Sequence, residues 1–119
     1  MPDVNYVVDD FKDNQVVVRW PNMVNGATGQ PFTLPGNYPM PLAMSVQLTG
    51  TLGAGGNMQF QGSNLITPTW VALKDLDGVQ LDMAALGLKG VREMAYQFRP
   101  TITAGDGTTS LSVSLTLWR

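Results

Sequence analysis

At 119 residues, with no cysteine, no histidine and a formal net charge of −2, the chain is one domain by length, large enough to bury a core without disulfides. The missing residue types remove thiolate metal sites, the commonest general base and the partner that activates a serine or cysteine nucleophile. Its seven Lys and Arg are scattered, which argues against a phosphate-backbone binder with its clustered basic surface.

In chain order, "MPDVNYVVDDFKD" carries acids where a secretion leader would carry bases, so no signal peptide is expected. "NYVVDDF" and "QVVVRWP" read as two short strands, the second ending at Trp20 just before Pro21. Residues 26–42, "GATGQPFTLPGNYPMPL", hold four prolines, three glycines and no charge. About 25 residues precede this stretch, too few for a separate folded domain, so it is no inter-domain linker. It either packs in part on its own domain or extends as an arm, and the prolines lower the entropy lost on ordering it. The favoured reading is an extended Pro/Gly-rich arm over 21–43, with Phe32, Leu34, Tyr38 and Met40 as anchors on a partner surface.

"AMSVQLTGTL" alternates with Met44, Val46, Leu48 and Leu52 inward, and Gly50 on that inward face predicts a bulge or a close approach. "GAGGN" turns the chain into a strand at "MQFQG". "TWVALKD" follows Pro68, and "DG" at 77–78 turns it into "VQLDM". "DMAALGLKGV" has the only helical character, predicting a short helical turn around 82–90 with Asp82 as N-cap and Gly87 or Gly90 as stop. "YQFRPTITA" sets Tyr96, Phe98, Pro100 and Ile102 on one face, and Pro100 predicts an edge or a bulge. "GDG" makes the turn into "SLSVSLTLW", whose Leu111, Val113, Leu115 and Leu117 face a core. Seven or eight short strands with Gly and Asx turns predict an all-β chain: a single antiparallel β-sandwich domain over 1–119, jelly-roll-like. No apolar run approaches the roughly 20 residues of a membrane span, and no membrane partner is expected.

The acidic residues are the only reactive groups in supply. "KDLDG" opens like a calcium loop but lacks the later ligands, and "AGDGTT" resembles a cation or phosphate loop; both read more simply as strand connections. A glycosidase would need two carboxyl groups facing across a cleft, and no pairing is favoured by the sequence. No catalytic, cofactor or metal residues are therefore assigned, and the chain is expected not to be an enzyme. Trp70 is expected at the core or its edge. Trp20 and Trp118, bounding strands on a chain with only 13% charged residues, favour a contact surface, because interfaces are enriched in Trp, Tyr, Met and Arg. The partner-interface candidates are Trp20, Phe32, Leu34, Tyr38, Met40, Trp118 and Arg119.

"QGSN", then "TWVAL", then "YQFRP" resembles the core strands of discoidin-like carbohydrate- and lipid-binding sandwiches, although Leu65 and Ile66 replace the Asp-Gly that usually follows Gly-Ser-Asn. Residues 44–117 more closely resemble small structural proteins of tailed-phage virions: a Gly-rich hairpin, "GSN", a Trp strand, "AALGLKGV", an aromatic-x-x-Arg-Pro strand and "GDGTTSLSV". That resemblance implies a capsid decoration or cement protein on the outer surface of a virion. Its expected partners are the major capsid protein and further copies of itself, as a dimer or trimer. The alternatives are a glycan-binding module, with Trp20, Tyr38 or Trp118 supplying the ring, or a connector or tail component.

Overall fold

Alternating apolar residues on extended chain leave each strand one greasy face, and two such sheets hide those faces by stacking. The computed structural model describes residues 3–12, 14–33 and 43–118. Its strands are β1 (Val7–Lys12), β2 (Gln15–Met23), β3 (Phe32–Thr33), β4 (Ala43–Thr51), β5 (Asn57–Ser63), β6 (Val71–Ala72), β7 (Asp82–Met83), β8 (Gly87–Val91), β9 (Gln97–Ala104) and β10 (Ser110–Trp118). One sheet runs β1-β2-β10-β4-β8, and the other runs β3-β9-β5-β6 with β7 also on β5. Every pairing between these strands is antiparallel. The chain is thus the all-β sandwich its alternation predicts.

The expected inward residues of β4 and β10 are in the core: Met44, Val46 and Leu48 lie beside Leu111, Val113, Leu115 and Leu117 on one face of their sheet, in one hydrophobic cluster with Val16, Val18, Met58, Phe60, Phe98 and Ile102. Each such side chain contributes about 1.5–3 kcal/mol by leaving water. Gly50 (φ 108°) is a close approach and not a bulge. It pairs directly with Leu111, and a Cβ there would press on the Ser110 carbonyl oxygen. Pro100 lies in β9, which has β5 on one side and, among the described residues, β3 and the 26–29 segment on the other. Gly29 donates to the Pro100 carbonyl at 2.8 Å.

Two expectations are corrected. No helical turn forms at 82–90: Asp82–Met83 pairs with β5 and Gly87–Val91 with β4. Pairing along the edge of β4 satisfies five residues' worth of register from Met44 to Leu48, which outweighs the modest helix propensity of "MAAL". The 21–43 arm is also not extended away over its described part. Pro21–Met23 completes β2, Thr28 bridges Thr101, and Phe32 pairs with Phe98. Residues 34–42 lie outside the described residues.

The hairpin over 73–81 ties the two sheets together along one side. Leu73 donates to the Phe60 carbonyl and Leu81 to that of Leu73, anchoring it to β5, while Arg92 donates to the Lys74 carbonyl beside β8. Asp75 caps its turn. One carboxylate oxygen accepts from the Asp77 and Val79 amides at 2.9 and 3.0 Å, and Lys89 lies 3.7 Å from the other. The Val79 amide, more than any other group, holds the Asp75 carboxyl below the ordinary carboxylate range. "KDLDG" is therefore a capped turn, as expected.

Candidate functional site: a polar face and an apolar edge

The sandwich presents two surfaces of opposite chemistry. The first is the outer face of the β9–β5 sheet. Alternation that sends Met58 and Phe60 inward sends Asn57, Gln59 and Gln61 outward on β5. On β9 it sends Arg99, Thr101 and Thr103 the same way, so that Gln61 sits opposite Arg99 and Gln59 opposite Thr101. These side chains form one hydrogen-bonded row. Arg99 Nε donates to Gln61 Oε1 at 2.9 Å, Gln61 Nε2 to Gln59 Oε1 at 2.7 Å, and Gln59 Nε2 to Asp82 Oδ1 at 3.0 Å. Asn57 donates to Thr103 Oγ1 at 2.7 Å and to Asp82 at 3.4 Å, and Gln80 donates to the second Asp82 oxygen. Gln61 and Gln59 each point their donor away from the cation and along the row to the anion, the polarity that two charged ends favour.

At the cationic end, the Arg99 guanidinium lies 4.4 Å from the ring centroid of half-buried Trp70, a cation–π contact. Burial lowers the Arg99 pKa, opposed by the charge of Asp3, but an arginine stays protonated throughout. Among the described residues no carboxylate lies within ion-pair distance of it; the ion pairs are Lys12–Asp10, Arg19–Asp9 and Lys89–Asp75. Trp70, expected at the core or its edge, instead supplies the floor for this cation on the outer surface. Sequence reasoning passed over the row, yet the signal was present: "NMQFQ" alternates amides with core residues opposite "FRPT".

The second surface is the edge where β6 meets the 93–96 segment. The Leu65 amide donates to Ser63 Oγ, Asn64 Oδ1 accepts from the Tyr96 amide, and Gln97 Nε2 donates to the Leu65 carbonyl. These bonds pin the 64–66 stretch to the start of β9 and leave its side chains outside. Ile66 is 88% exposed, with Leu65, Val71, Met94 and Tyr96 also exposed. Beside them a groove of about 420 Å3 is lined by Gly62, Asn64, Leu65, Val71, Leu73, Met94 and Ala95, among others. Further along the same side, Leu76 lies over Gly90 and Leu88 stands two residues away on β8, both exposed.

The sequence-predicted interface residues are dispersed. Trp20 is fully buried, its indole Nε1 donating to the Gln30 carbonyl at 2.8 Å and its ring meeting Tyr6 and Phe60 edge-on. Phe32 is buried and packs edge-on against Tyr6. Both are core residues of this chain, a correction with a simple cause: Trp20 continues the inward parity of Val16 and Val18, and Phe32 pairs with Phe98. Trp118 is 40% exposed, opposite Ala43 and Gln15 at the end of a neutral Ser/Thr/Gln face on β10 and β4. Leu34, Tyr38, Met40 and Arg119 lie outside the described residues.

At the far end of the sandwich, "AGDGTT" is a stapled turn. Asp106 accepts from the Ala54 amide at 2.9 Å and from both the amide and the hydroxyl of Thr108, at 2.9 and 2.7 Å. Thr109 Oγ1 donates to the Leu52 carbonyl at 3.0 Å. These donors, the Thr108 hydroxyl foremost, lower the Asp106 pKa to about 2. The carboxylate thus joins two hairpin turns, with three hydrogen bonds accepted from its own fold.

Fold and surfaces together define the class: a two-sheet antiparallel β-sandwich with a polar face and an apolar edge. No protein-family model matches the chain, and no curated protein matches it. Among solved structures the fold is similar to that of the SPBc2 prophage-derived protein YomS, with a TM-score of 0.63 at 11% identity over 95% of this chain and 99% of that one. KdgF from Halomonas sp. superposes more loosely, with a TM-score of 0.43 at 9% identity over 96% of this chain and 77% of that one.

Proposed function

We propose that the chain is a non-enzymatic structural protein of a phage-type particle, acting as a decoration or cement protein that binds the major capsid protein on the outer virion surface. The observation that carries this reading is the apolar edge, where Leu65, Val71 and Met94 are exposed along a groove and Ile66 and Tyr96, their neighbours in sequence, are exposed beside it. Surface of this kind marks a protein contact, and repetition over a lattice multiplies a modest affinity without any reaction. The fold shared with a prophage-derived protein supports a phage setting. The carboxylates at Asp75 and Asp106 support the non-enzymatic part, since their hydrogen bonds serve their own turns.

The test is co-sedimentation with purified capsids of the phage or prophage whose genome encodes the chain, alongside its mass in solution. Saturable pelleting with capsids, together with a dimer or trimer in solution, is expected. A monomer that stays in the supernatant overturns the proposal.

A further inference from the structure

The polar face carries a feature that an assembly role does not use. Arg99 is a half-buried guanidinium fixed on two sides, by the Trp70 ring at 4.4 Å and by Gln61 at 2.9 Å. Holding a cation so rigidly, with no carboxylate at ion-pair distance among the described residues, leaves its terminal N–H groups pre-organised for a bidentate acceptor. Nε is already committed to Gln61, and among the described residues the two terminal nitrogens have no hydrogen-bond partner, so they remain to meet a carboxylate. From there the amide row runs along β5, roughly 13 Å from Asn57 to Gln61 and its cross-strand neighbour at ~3.3 Å per residue. Alongside it stand the Thr101 and Thr103 hydroxyls of β9.

We propose that this face binds a carboxylated saccharide, with the sugar acid on Arg99 beside Trp70 and its hydroxyls along Gln61, Gln59 and Asn57. Charge complementarity sets the acid: at one end a cation with no carboxylate at ion-pair distance among the described residues, and at the other Asp82, whose oxygens already accept from Asn57, Gln59 and Gln80. The class of ligand follows from what surrounds the cation. The outward positions 57, 59, 61, 99, 101 and 103 carry no large apolar residue, and the Trp70 ring beside them is half-buried under the guanidinium, so a protein segment docking here would find little against which to bury its own apolar side chains. A polyol matches amides and hydroxyls that each offer donors and acceptors.

The experiment is a 15N-resolved NMR titration of the full chain with tetrasaccharides of hyaluronan, galacturonate, mannuronate and sialate. Their carboxyl-reduced counterparts and tetraglutamate serve as controls. At least one acidic tetrasaccharide is expected to shift the Gln59, Gln61 and Trp70 side-chain N–H signals, with at least tenfold weaker binding after carboxyl reduction and in Arg99→Gln. Gln61→Glu keeps an acceptor for Arg99 Nε while placing an internal carboxylate on the guanidinium. It should remain folded by its dispersed spectrum and lose the sugar by a similar factor.

Binding of tetraglutamate as tight as that of the best sugar, undiminished binding of the reduced sugar, or no acidic sugar binding at millimolar concentrations would each overturn the proposal. The capsid reading stands or falls separately, because the edge it rests on presents Leu65, Ile66, Val71 and Met94 and neither Arg99 nor the amide row.

Discussion

The indole Nε1 of Trp20 donates to the main-chain carbonyl of Gln30 at 2.8 Å, closing the start of the Pro/Gly-rich segment onto β2. Gly29 makes this approach feasible. A Cβ there would lie 2.6 Å from the Pro100 ring and 2.7 Å from the Trp20 ring, so a bare backbone threads between two large side chains. The tryptophan is a clamp for the segment as well as a core residue.

Replacing Trp20 with alanine should therefore lower unfolding free energy by about 3–5 kcal/mol, and replacement with phenylalanine by less, mainly through the acceptor left without its donor. Urea unfolding at neutral pH measures both. A Trp20→Ala chain as stable as the parent would place the residue at a surface, contrary to its full burial.

Gly50→Ala should destabilise the chain by roughly 1–3 kcal/mol, from a φ of 108° that side chains rarely adopt and from the clash with the Ser110 carbonyl. Thr49→Ala, one residue away and exposed, should change stability by no more than about 0.5 kcal/mol. Thermal unfolding of the pair checks the contrast, and equal effects would mean that the β4–β10 pairing tolerates a side chain at position 50.

Acid stability has a defined contributor in Asp106. Its pKa falls from 3.8 when unperturbed to about 2 in the folded chain, so the folded state favours the ionised form. The stabilisation is complete above the unfolded pKa and is lost as pH drops from near 4 towards 2. Asp106→Asn should be less stable than the parent at pH 7, and the two should converge over that window. Asp75 and Asp9, both also lowered, keep some acid slope in the variant. Urea midpoints measured from pH 7 to pH 2 decide it, and a constant gap across the window would remove Asp106 from the linkage.

Much of the fold was legible because alternation is local. "SLSVSLTLW" is β10 over the same residues, 110–118, and the outward glutamines of "MQFQ" follow from the same rule. What escaped were features set by distant partners. "GLKGV" becomes a strand because β4 offers it an edge, and Phe32 is buried because Phe98 lies across from it. Trp20 was legible by parity with Val16 and Val18, but its position before Pro21 suggested an end where β2 in fact runs on to Met23. The Arg99–Trp70 contact joins positions 29 residues apart, and no spacing rule announces it.

The apolar edge gives the prediction that bears most directly on function. Ile66 and Leu65 are exposed on a stretch whose backbone is held by Ser63, Asn64 and Gln97, so changing their side chains leaves those bonds intact. Leu65→Ser with Ile66→Ser should shift unfolding free energy by about 0.5 kcal/mol or less per site, as surface substitutions do. If the edge is the capsid contact, the same double variant should bind particles at least roughly tenfold more weakly, since central apolar anchors carry most of an interface's energy. Co-sedimentation at several protein concentrations measures the loss, with Gln47→Ala on the opposite sheet as a control expected to bind like the parent. Undiminished binding by the double variant would move the contact elsewhere, and the neutral face ending at Trp118 would be the next surface to test.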